Sequence, residues 1–517
     1  MNRRRFIIGS AMLAGTGIML PVSAAQLERV KPEHITENPF SLGVASGDPS
    51  ADGISLWTQL APDPMNRHSM PGKPAEVIWE VSSRHDFTTD RQSGTETAWP
   101  ELAHTVKPRI RGLKAGAEYF YRFRFGNHES RTGRFRTAPD KNDKRPVRFA
   151  VVSCNRYEDG WFHAFRHVLQ DDVDFVFHAG DYIYEKASRA DRMRPHGEPE
   201  CFSLDDYRRR YALYRLDPDL QDLHANTAFI STWDDHEVAG NWAGRADKWD
   251  TPDRVFAWRR SAAIQAYWEA MPFNIPQPLP GGELKLYRSL QYGAHIDFLV
   301  LDTRQYRSDQ ACGDTTTLLC DGARSTSRTM LGSRQTDWLR QTLNEGKATW
   351  PIIGQQVPSF LMDYDPEEPL TVSMDKWDGY PAAQREYEKI LNDSGRVCMT
   401  VAGDAHQHIA AQRREAATGQ NVGADLVTTS VTSGGNGQER DSAWGVLQAS
   451  NANLQYNSRR RGYLLINAQE NQLDVEFRTL SNITEKAHQL FCAAEGTLTR
   501  DGRFSVHEVN RLIREHV

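Results

Sequence analysis

A carboxylate and a phenol lie three residues apart in the segment "HAGDYIYE", residues 178–185, as Asp181 and Tyr184. Gly180 lets the backbone turn sharply, which aims the Asp181 carboxylate across a cleft as a bridging ligand. A free phenol has a pKa near 10, so it is a poor ligand for Ca²⁺ or Mg²⁺ at neutral pH. A trivalent iron ion, in contrast, deprotonates a phenol. The pair therefore predicts a site for a hard, highly charged cation.

Two further segments carry donors that suit the same cation. Cys154 follows the apolar run "VRFAVVS", and its thiolate would be a second anionic donor whose pKa the metal lowers. Asp404 and His406 in "GDAHQH" add a carboxylate and an imidazole. With Asp181 and Tyr184, they predict a mixed shell of ligands.

The segment "WDDHEVAGNW" offers ligands for divalent cations. Asp234 and Asn241 provide the carboxylate and amide oxygens that Ca²⁺ and Mg²⁺ prefer, and the adjacent Asp235 is an alternative to Asp234. His236 is the predicted catalytic proton donor to a phosphate oxygen or a leaving group. Two or more cations about 4 Å apart neutralise a phosphate ester and lower the pKa of a bound water to near 7. The segments together therefore predict phosphoester hydrolysis.

Each of these residues has a simpler explanation when it is taken alone. Cys154 is then a buried core thiol and Tyr184 a packing aromatic. Asp181 and Asp404 are N-caps of following helices. "DDHE" is a solvated acidic turn, and His408 is a surface or supporting histidine. The metal site is favoured because the residues occur together at the ends of predicted strands.

Residues 146–480 are predicted to form an α/β domain. Seven short, continuous apolar runs are each followed by a polar turn, and often by a helical segment, as expected for strands buried on both faces. Four of these seven runs end at Cys154, Asp181, Asp234 and Asp404. Because open α/β sheets bind ligands at the carboxyl ends of their strands, we expect these side chains to meet at one edge.

The flanking regions predict β structure. Residues 26–140 contain alternating runs such as "AEVIWEVSS" and "EYFYRFRFGN", which predict a small all-β, fibronectin-like domain before a polar linker, "DKNDKRP". In the tail, residues 481–517, we expect a hairpin around Asp501-Gly502. A short helix is predicted from His507 to His516.

Composition narrows the class of protein. A chain of 517 residues is too long for one core and predicts two or three domains. The net charge of −6 leaves no basic field, which argues against a nucleic-acid scaffold. Cys312 and Cys320 are close enough in sequence to predict a disulfide. The remaining cysteines besides Cys154 show no pattern, and they are Cys201, Cys398 and Cys492.

The first 25 residues resemble a twin-arginine export signal. Paired arginines in "NRRRFI" precede an apolar stretch from Ile7 to Leu20, and small residues in "PVSAA" follow as a cleavage site. The stretch is shorter than the roughly 20 apolar residues of a spanning helix, so a signal peptide is favoured over a membrane anchor. We expect export by the twin-arginine machinery to the periplasm or out of the cell, with no stable membrane anchor after cleavage.

These motifs also resemble a known family. Calcineurin-like metallophosphatases carry D-x-H, G-D-x-x-[DY], G-N-H-[DE] and G-H-x-H blocks, and "GDYIY" matches the second block in the tyrosine form of purple acid phosphatases. "SCN", "DDHE" and "GDAHQH" stand at the other three blocks. This altered set, with "FSLGVASGDPSADGISLWTQLAP" near the start, resembles the PhoD-type alkaline phosphatases from residue 38 to at least residue 480.

The resemblance implies an αββα sandwich that holds an Fe³⁺ and two Ca²⁺ and cleaves phosphomonoesters and phosphodiesters. A metal-activated oxygen would attack phosphorus, with no protein nucleophile. Matching positions assign the iron to Cys154, Asp181, Tyr184 and Asp404. They assign the calcium ions to Asp181, Asp234, Asn241, Asp404 and His406. How the ions share these ligands is left open.

Several features leave alternatives open. "SGGNG", residues 433–437, is either a phosphate-binding loop or a turn, and Arg156 and Arg304 are candidate phosphate clamps. Residues 186–224 and 309–333 are candidate walls of the cleft. A dedicated phosphodiesterase or phospholipase-D-like hydrolase would share every ligand. A periplasmic protein that binds metal or phosphate without turnover would not need an iron-bound phenol, and a structural adhesin would explain only the first domain.

Overall fold

The computed structural model describes residues 28–66, 68–279, 281–365 and 367–516. The predicted export signal, residues 1–25, lies outside the described residues. Two large β-sheets of eleven and seven strands form the body of the molecule, with a five-stranded and a two-stranded sheet beside them. No helix within the described ranges is both long enough and apolar enough to cross a membrane.

The eleven-stranded sheet draws strands from both ends of the described chain. These strands are β1 (Val44–Ser50), β2 (Gly53–Gln59), β5 (Thr105–Val106), β6 (Arg109–Arg111), β10 (Val147–Val152), β11 (Phe175–His178), β12 (Ala228–Ser231), β22 (Gly462–Ala468), β23 (Gln472–Leu480), β24 (His488–Thr499) and β25 (Phe504–His516). Their spatial order is β25-β24-β23-β22-β10-β11-β12-β1-β2-β5, and β6 also pairs with β2.

The other sheets come from the intervening segments. The seven-stranded sheet comprises β13 (Arg288–Tyr292), β14 (Ile296–Val300), β16 (Trp350–Gly354), β18 (Cys398–Ala402), β20 (Asn421–Val427), β19 (His408–Arg414) and β21 (Leu454–Ser458), in that spatial order. The five-stranded sheet comprises β3 (Ala75–Ser82), β4 (Gln92–Ala98), β7 (Glu118–Phe125), β8 (His128–Glu129) and β9 (Gly133–Arg136). The two-stranded sheet pairs β15 (Thr316–Leu318) with β17 (Thr371–Ser373).

The α-helices of the described chain all belong to the larger, α/β part. They are α1 (His163–Gln170), α2 (Leu204–Arg215), α3 (Pro218–Asn226), α4 (Asp253–Ala270), α5 (Gly332–Glu345), α6 (Pro381–Asp393) and α7 (Trp444–Ser450).

The two large sheets pack face to face through an aromatic core. Phe149 of β10 and Phe175 of β11 contact Phe298 of β14, with ring centroids 5.8 and 5.5 Å apart. Helices α1 to α4 cover the outer face of the eleven-stranded sheet, and α5 and α6 cover the outer face of the seven-stranded sheet. This arrangement is the predicted αββα sandwich, and the predicted α/β fold class is confirmed.

Parallel strands in both sheets bring their carboxyl ends to one edge of the sandwich. Strands β10, β11 and β12 run parallel, as do β14, β16, β18 and β20. These strands are buried along most of their length, as the continuous apolar runs predict. The predicted site residues that follow β10, β11, β12 and β18 are Cys154, Asp181, Asp234 and Asp404.

The N-terminal β region is continuous with the large sheet, which the sequence did not indicate. Strand β1 pairs in parallel with β12, with Ser46 opposite Ala228, so β1, β2, β5 and β6 extend the eleven-stranded sheet. The five-stranded sheet packs on this extension through Val77, Tyr121 and Phe123. The polar segment after residue 140 is therefore not a break between two independent sheets.

The helix predicted from His507 to His516 is wrong. Strand β25 (Phe504–His516) pairs antiparallel with β24 and forms the edge of the large sheet, while Gly502, at φ 79°, makes the predicted turn. The segment is rich in Arg and Glu, which favour helices when considered locally. On an exposed edge strand the same charged residues protect the sheet against further pairing. Long-range pairing therefore overrides the local propensity.

Candidate metal centre

Five of the predicted ligands have a left-handed backbone conformation that residues other than glycine rarely adopt. Their φ angles are 57° at Cys154, 55° at Asp181, 54° at Asn241, 63° at Asp404 and 53° at His406. Such residues are energetically costly and collect at functional sites. Two hydrogen bonds join the turn after β10 to the turn after β11. Cys154 N donates to Gly180 O and Asn155 N donates to Asp181 O, both at 3.1 Å.

A first group of donors forms at the junction of the two sheets. Ligand atoms of Cys154, Asp181 and His406 all lie within 4.8 Å of one another. The Tyr184 hydroxyl donates to Asp181 Oδ2 at 2.7 Å and lies 3.3 Å from His406 Nε2. The structure thus brings together the thiol, phenol, carboxylate and imidazole that the sequence singled out.

Two further groups continue the first. Ligand atoms of Asp234, Asp235 and Asp404 lie within 4.8 Å of one another, and so do those of Asp181, Asp235 and His236. Asp181 is shared by the group of Cys154 and the group of His236. Asp235 is shared by the group of His236 and the group of Asp234, so the three groups form one continuous centre. Asp234 and Asp235 therefore both lie in this centre.

Asn241 lies at the border of this centre. Its backbone N–H donates to Asp235 Oδ2 at 2.6 Å. Its side-chain amide donates to both carboxylate oxygens of Asp314 at 2.9 Å. Asp314 belongs to the segment 309–333 that was predicted to form a wall of the cleft, so this segment reaches the centre directly.

The electrostatics of the centre fit bound cations. Burial, reinforced by Asp181, raises the pKa values of the Cys154 thiol and the Tyr184 phenol well above their usual range. Burial likewise raises the pKa values of Asp181 and Asp234, and neighbouring carboxylates add to the effect. Asp234 Oδ2 is buried without a hydrogen-bond partner in the described part of the chain. Cations reverse such shifts, and these donors fit iron together with a hard divalent ion.

Arg304, a predicted phosphate clamp, is completely buried among the carboxylates. Its guanidinium contacts Asp234, donates to Asp375 Oδ1 at 2.9 Å, and lies 3.6 Å from carboxylate oxygens of Asp235 and Asp404. It therefore neutralises part of the acidic cluster and does not face the solvent. Asp375, which also accepts from Gln310 at 2.7 Å, carried no signal in the sequence.

The glycine-rich segment 433–437 and Arg156 line the other side of the first group. Ser433 Oγ donates to the Tyr184 hydroxyl at 2.5 Å, and Gly434 N donates to Asp159 Oδ2 at 2.9 Å. The Arg156 guanidinium lies 5.6 Å from the Tyr184 ring centroid. The segment is therefore a turn that supports the phenol through its serine.

His236 forms a close pair with a buried carboxylate. Its Nδ1 lies 2.6 Å from Glu185 Oε2, and Glu185 Oε1 accepts from Gly240 N at 3.0 Å. Although burial opposes the shift, Glu185, Asp235 and Asp181 raise the pKa of His236 well above its usual value. Without bound cations, this pairing therefore favours the protonated imidazole. Glu185 is the last residue of the motif "HAGDYIYE" and follows Asp181 closely in sequence. This proximity was the sequence feature that could have identified Glu185 as part of the site.

Glu237 fixes the two loops that carry the carboxylates. Its buried side chain accepts backbone N–H groups of Asp181 at 3.2 Å, Tyr182 at 2.5 Å and Asp234 at 2.8 Å. His408, by contrast, contacts none of the donors described above, because its Nε2 bonds to Arg478 O at 3.0 Å. It is a buried structural histidine, neither a ligand nor a surface residue.

Comparison with known proteins identifies the family. The model described as PhoD-like phosphatase matches residues 149–477, and that described as PhoD-like phosphatase, N-terminal domain, matches residues 24–139. The chain belongs to the PhoD-like phosphatase family. Alkaline phosphatase D of Bacillus subtilis (strain 168) is 37% identical over 515 residues, which cover 97% of this chain and 88% of that protein.

Solved structures agree with this family assignment. A structure of PhoD is 36% identical, with a TM-score of 0.89 over 92% of this chain and 93% of that chain. The purple acid phosphatase PPD1 of yellow lupin (Lupinus luteus) seeds is 14% identical, with a TM-score of 0.52 over 84% of this chain and 71% of that chain. The second likeness concerns the fold alone.

The resemblance to PhoD-type phosphatases is thus confirmed, as are the metallophosphatase-like fold and the class of reaction. The PhoD-like chain is a metal-dependent phosphoric ester hydrolase of the alkaline phosphatase type.

Proposed function

We propose that this PhoD-like hydrolase uses an Fe³⁺ and two Ca²⁺ to release phosphate from monoesters and diesters outside the cytoplasm. The observation that carries the iron proposal is the presence of both Cys154 and Tyr184 beside Asp181 in one buried group. A thiol and a phenol with raised pKa values are poor ligands for calcium or magnesium, and they favour a trivalent ion.

The resemblance to PhoD-type phosphatases assigns these ligands, and the structure adds Asp235 to them. Cys154, Asp181, Tyr184 and Asp404 would hold the iron. The calcium ions would be held by oxygen atoms of Asp181, Asp234, Asn241 and Asp404 and by the imidazole of His406. Asp235 joins this set because it borders Asp234 and Asn241. When bound, such cations neutralise a phosphate ester and acidify a water molecule.

The proton transfer is assigned to His236. An imidazolium held by Glu185 at 2.6 Å can donate a proton to the departing ester oxygen, which is the role of a general acid. Glu185 fixes the ring by its bond to Nδ1, so Nε2 is the atom that would face the leaving group. Substrates are therefore expected to enter from the Nε2 side of the ring.

Hydrolysis of an aryl phosphate monoester and of the matching diester tests the proposal, first with calcium present and then after chelation. Activity on both esters that chelation abolishes is expected, together with iron and calcium found by elemental analysis. Cleavage of the diester alone would replace the proposal by a dedicated phosphodiesterase. Asp181→Asn serves as the reference variant, because it should lose metal and activity together.

The proposed location rests on the arginine pair and apolar stretch near the N-terminus. Arg4→Lys/Arg5→Lys, made in the full chain, should retain the protein in the cytoplasm of a bacterial host. Fractionation measures this, and normal export of the double variant would contradict the twin-arginine route.

A further inference from the structure

The side-chain amide of Asn241 is oriented by one carboxylate. Asn241 Nδ2 donates to Asp314 Oδ1 and Oδ2, both at 2.9 Å. An amide carries its nitrogen and oxygen on opposite branches of one plane, so this bond turns Asn241 Oδ1 away from Asp314. Among the described residues, no hydrogen bond is made to Asn241 Oδ1. That oxygen is therefore free to bind a cation.

The backbone of Asn241 is fixed independently of Asp314. Its N–H donates to Asp235 Oδ2 at 2.6 Å, and its carbonyl accepts from Gln310 Nε2 at 2.7 Å and from Arg307 at 3.2 Å. These contacts place the residue beside the carboxylates but leave the amide plane undetermined. Asp314 is the contact that determines which atom of the amide, the oxygen, points away from Asp314.

A disulfide closes the loop that carries Asp314. Asp314 lies inside the loop closed by Cys312 and Cys320. Directly after Asp314, the loop is anchored by the pairing of β15 with β17 and by Met374 N, which donates to Thr315 O at 3.1 Å. Near the other end, Asp314 N donates to Ala311 O at 3.2 Å. Asp314 thus lies between this anchor and Cys312, and opening the disulfide would remove the restraint on its N-terminal side.

We propose that Asp314 is a positioning residue that turns the Asn241 oxygen toward a bound calcium ion, and that the Cys312–Cys320 disulfide enforces this position. Calcium affinity then depends on the redox state of the cysteine pair. This inference rests on the proposed function, because it concerns one of the proposed calcium ligands. It makes calcium binding by the PhoD-like enzyme tighter where thiols are oxidised.

The redox step is thiol–disulfide exchange. Cys312 and Cys320 together lose two electrons and two protons as the S–S bond forms, and a partner protein disulfide accepts them and becomes a dithiol. In a reducing compartment, the reverse exchange with a small dithiol breaks the bond and restores both thiols. Oxidising compartments favour the closed loop.

Calcium titration of the iron-loaded, full-length protein by calorimetry tests the role of Asp314. Asp314→Ala is expected to weaken calcium binding by about 10- to 100-fold, the range seen when residues that orient metal ligands are changed. Asp314→Asn keeps one acceptor oxygen and should give a smaller loss. Asp321→Asn is the matched control, since this exposed residue loses the same charge in the same segment and contacts neither Asn241 nor Asp314.

Reduction tests the role of the disulfide. The wild-type protein treated with dithiothreitol, and the Cys312→Ser/Cys320→Ser variant, should lose calcium affinity to a similar extent as Asp314→Ala. Reduction should cause no further loss in Asp314→Ala, because the disulfide acts through that residue. Thermal unfolding of each sample verifies that the protein is folded, and iron content should stay at the wild-type level.

The outcomes separate this inference from the proposed function. A wild-type protein that binds no calcium would contradict the calcium proposal itself, and this inference with it. Normal calcium affinity in Asp314→Ala, or in the reduced wild-type protein, would overturn only the inference. An equal loss in Asp321→Asn would assign the effect to general charge and would also overturn it.

Discussion

At the scale of single residues, Cys154 and Tyr184 distinguish this centre from one made only of carboxylates and imidazoles. Both side chains are neutral when free at neutral pH, and burial beside Asp181 raises their pKa values further. A strongly positive ion is needed to ionise them. The proposed iron site therefore depends on these two donors more than on the carboxylates.

Tyr184→Phe removes the phenol oxygen and keeps the ring that lies 4.1 Å from the His236 ring. We expect the iron content after dialysis to fall by at least about tenfold, since changes to groups that only support a ligand already cost 10- to 100-fold in metal affinity. Elemental analysis measures this. The control is Tyr182→Phe, whose lost hydroxyl contacts His224 at 2.9 Å. Full iron retention in Tyr184→Phe would exclude the phenol as a ligand.

His236→Ala should slow the hydrolysis of alkyl phosphate esters by about 10²- to 10⁴-fold, the usual contribution of a general acid. The loss should be smaller for a nitrophenyl ester, because a nitrophenolate leaves without protonation. The ratio of kcat values for the two substrates measures the effect. Glu185→Gln should show the same substrate dependence more weakly, and Glu198→Gln, a partly exposed carboxylate paired with Arg209 at 3.2 Å, should not. Equal losses on both esters would remove His236 from proton transfer.

At the scale of elements, the rule that ligands follow parallel strands explains what could be predicted. The apolar runs revealed β10, β11, β12 and β18, so Cys154, Asp181, Asp234 and Asp404 were expected to meet, and they lie in one centre. Asp375 could not be foreseen. It follows the short strand β17, which forms only because β15 pairs with it, and this pairing leaves no periodic signal in the sequence.

Strand β25, at the edge of the large sheet, also could not be predicted from its local sequence. Strand β25 alternates weakly and carries many charged residues, so its local sequence favours a helix. Its partner β24 supplies a continuous antiparallel ladder, and pairing at that edge determines the conformation. Similarly, nothing local indicates that β1 would join β12. Contacts between distant segments decided both cases.

Glu237 connects the loops after β11 and β12, and substitution of this residue tests how much the connection stabilises the fold. Glu237→Ala leaves three buried N–H groups without their acceptor, and we expect the free energy of unfolding to fall by about 3 kcal/mol, given about 1–3 kcal/mol for each unsatisfied buried group and partial relaxation. Urea unfolding measures this. Glu386→Gln, which changes an exposed carboxylate, should remain within about 0.5 kcal/mol of wild type. A similarly small change in Glu237→Ala would mean that the loops are held by other contacts.

At the scale of the whole molecule, the sandwich concentrates negative charge where its two sheets meet. The eleven-stranded sheet supplies Asp181, Asp234 and Asp235, and the seven-stranded sheet supplies Asp404. Arg304 offsets only part of this charge. Bound cations would therefore stabilise the contact between the sheets, and the free energy of unfolding should report on metal binding.

We accordingly expect removal of metal to reverse the pH dependence of stability. In the metal-free protein, burial raises the pKa values of Asp181 and Asp234 well above their usual range and that of Glu237 to about 7. A carboxyl with a raised folded pKa stabilises the fold fully below its unfolded pKa, near 4, and loses that contribution as the pH rises through the folded pKa. The metal-free protein should therefore become less stable from about pH 5 to about pH 8.

The metal-loaded protein should show the opposite trend in the same interval. Its ligands must lose protons to bind cations, so a higher pH strengthens binding, and a ligand at 100 times its Kd adds about 2.7 kcal/mol to the folded state. Thermal unfolding at both pH values, with calcium and with a chelator, measures the two slopes. Parallel slopes would mean that the buried carboxylates do not compete between protons and cations. Slopes of opposite sign would tie the stability of the sandwich to the ions at its centre.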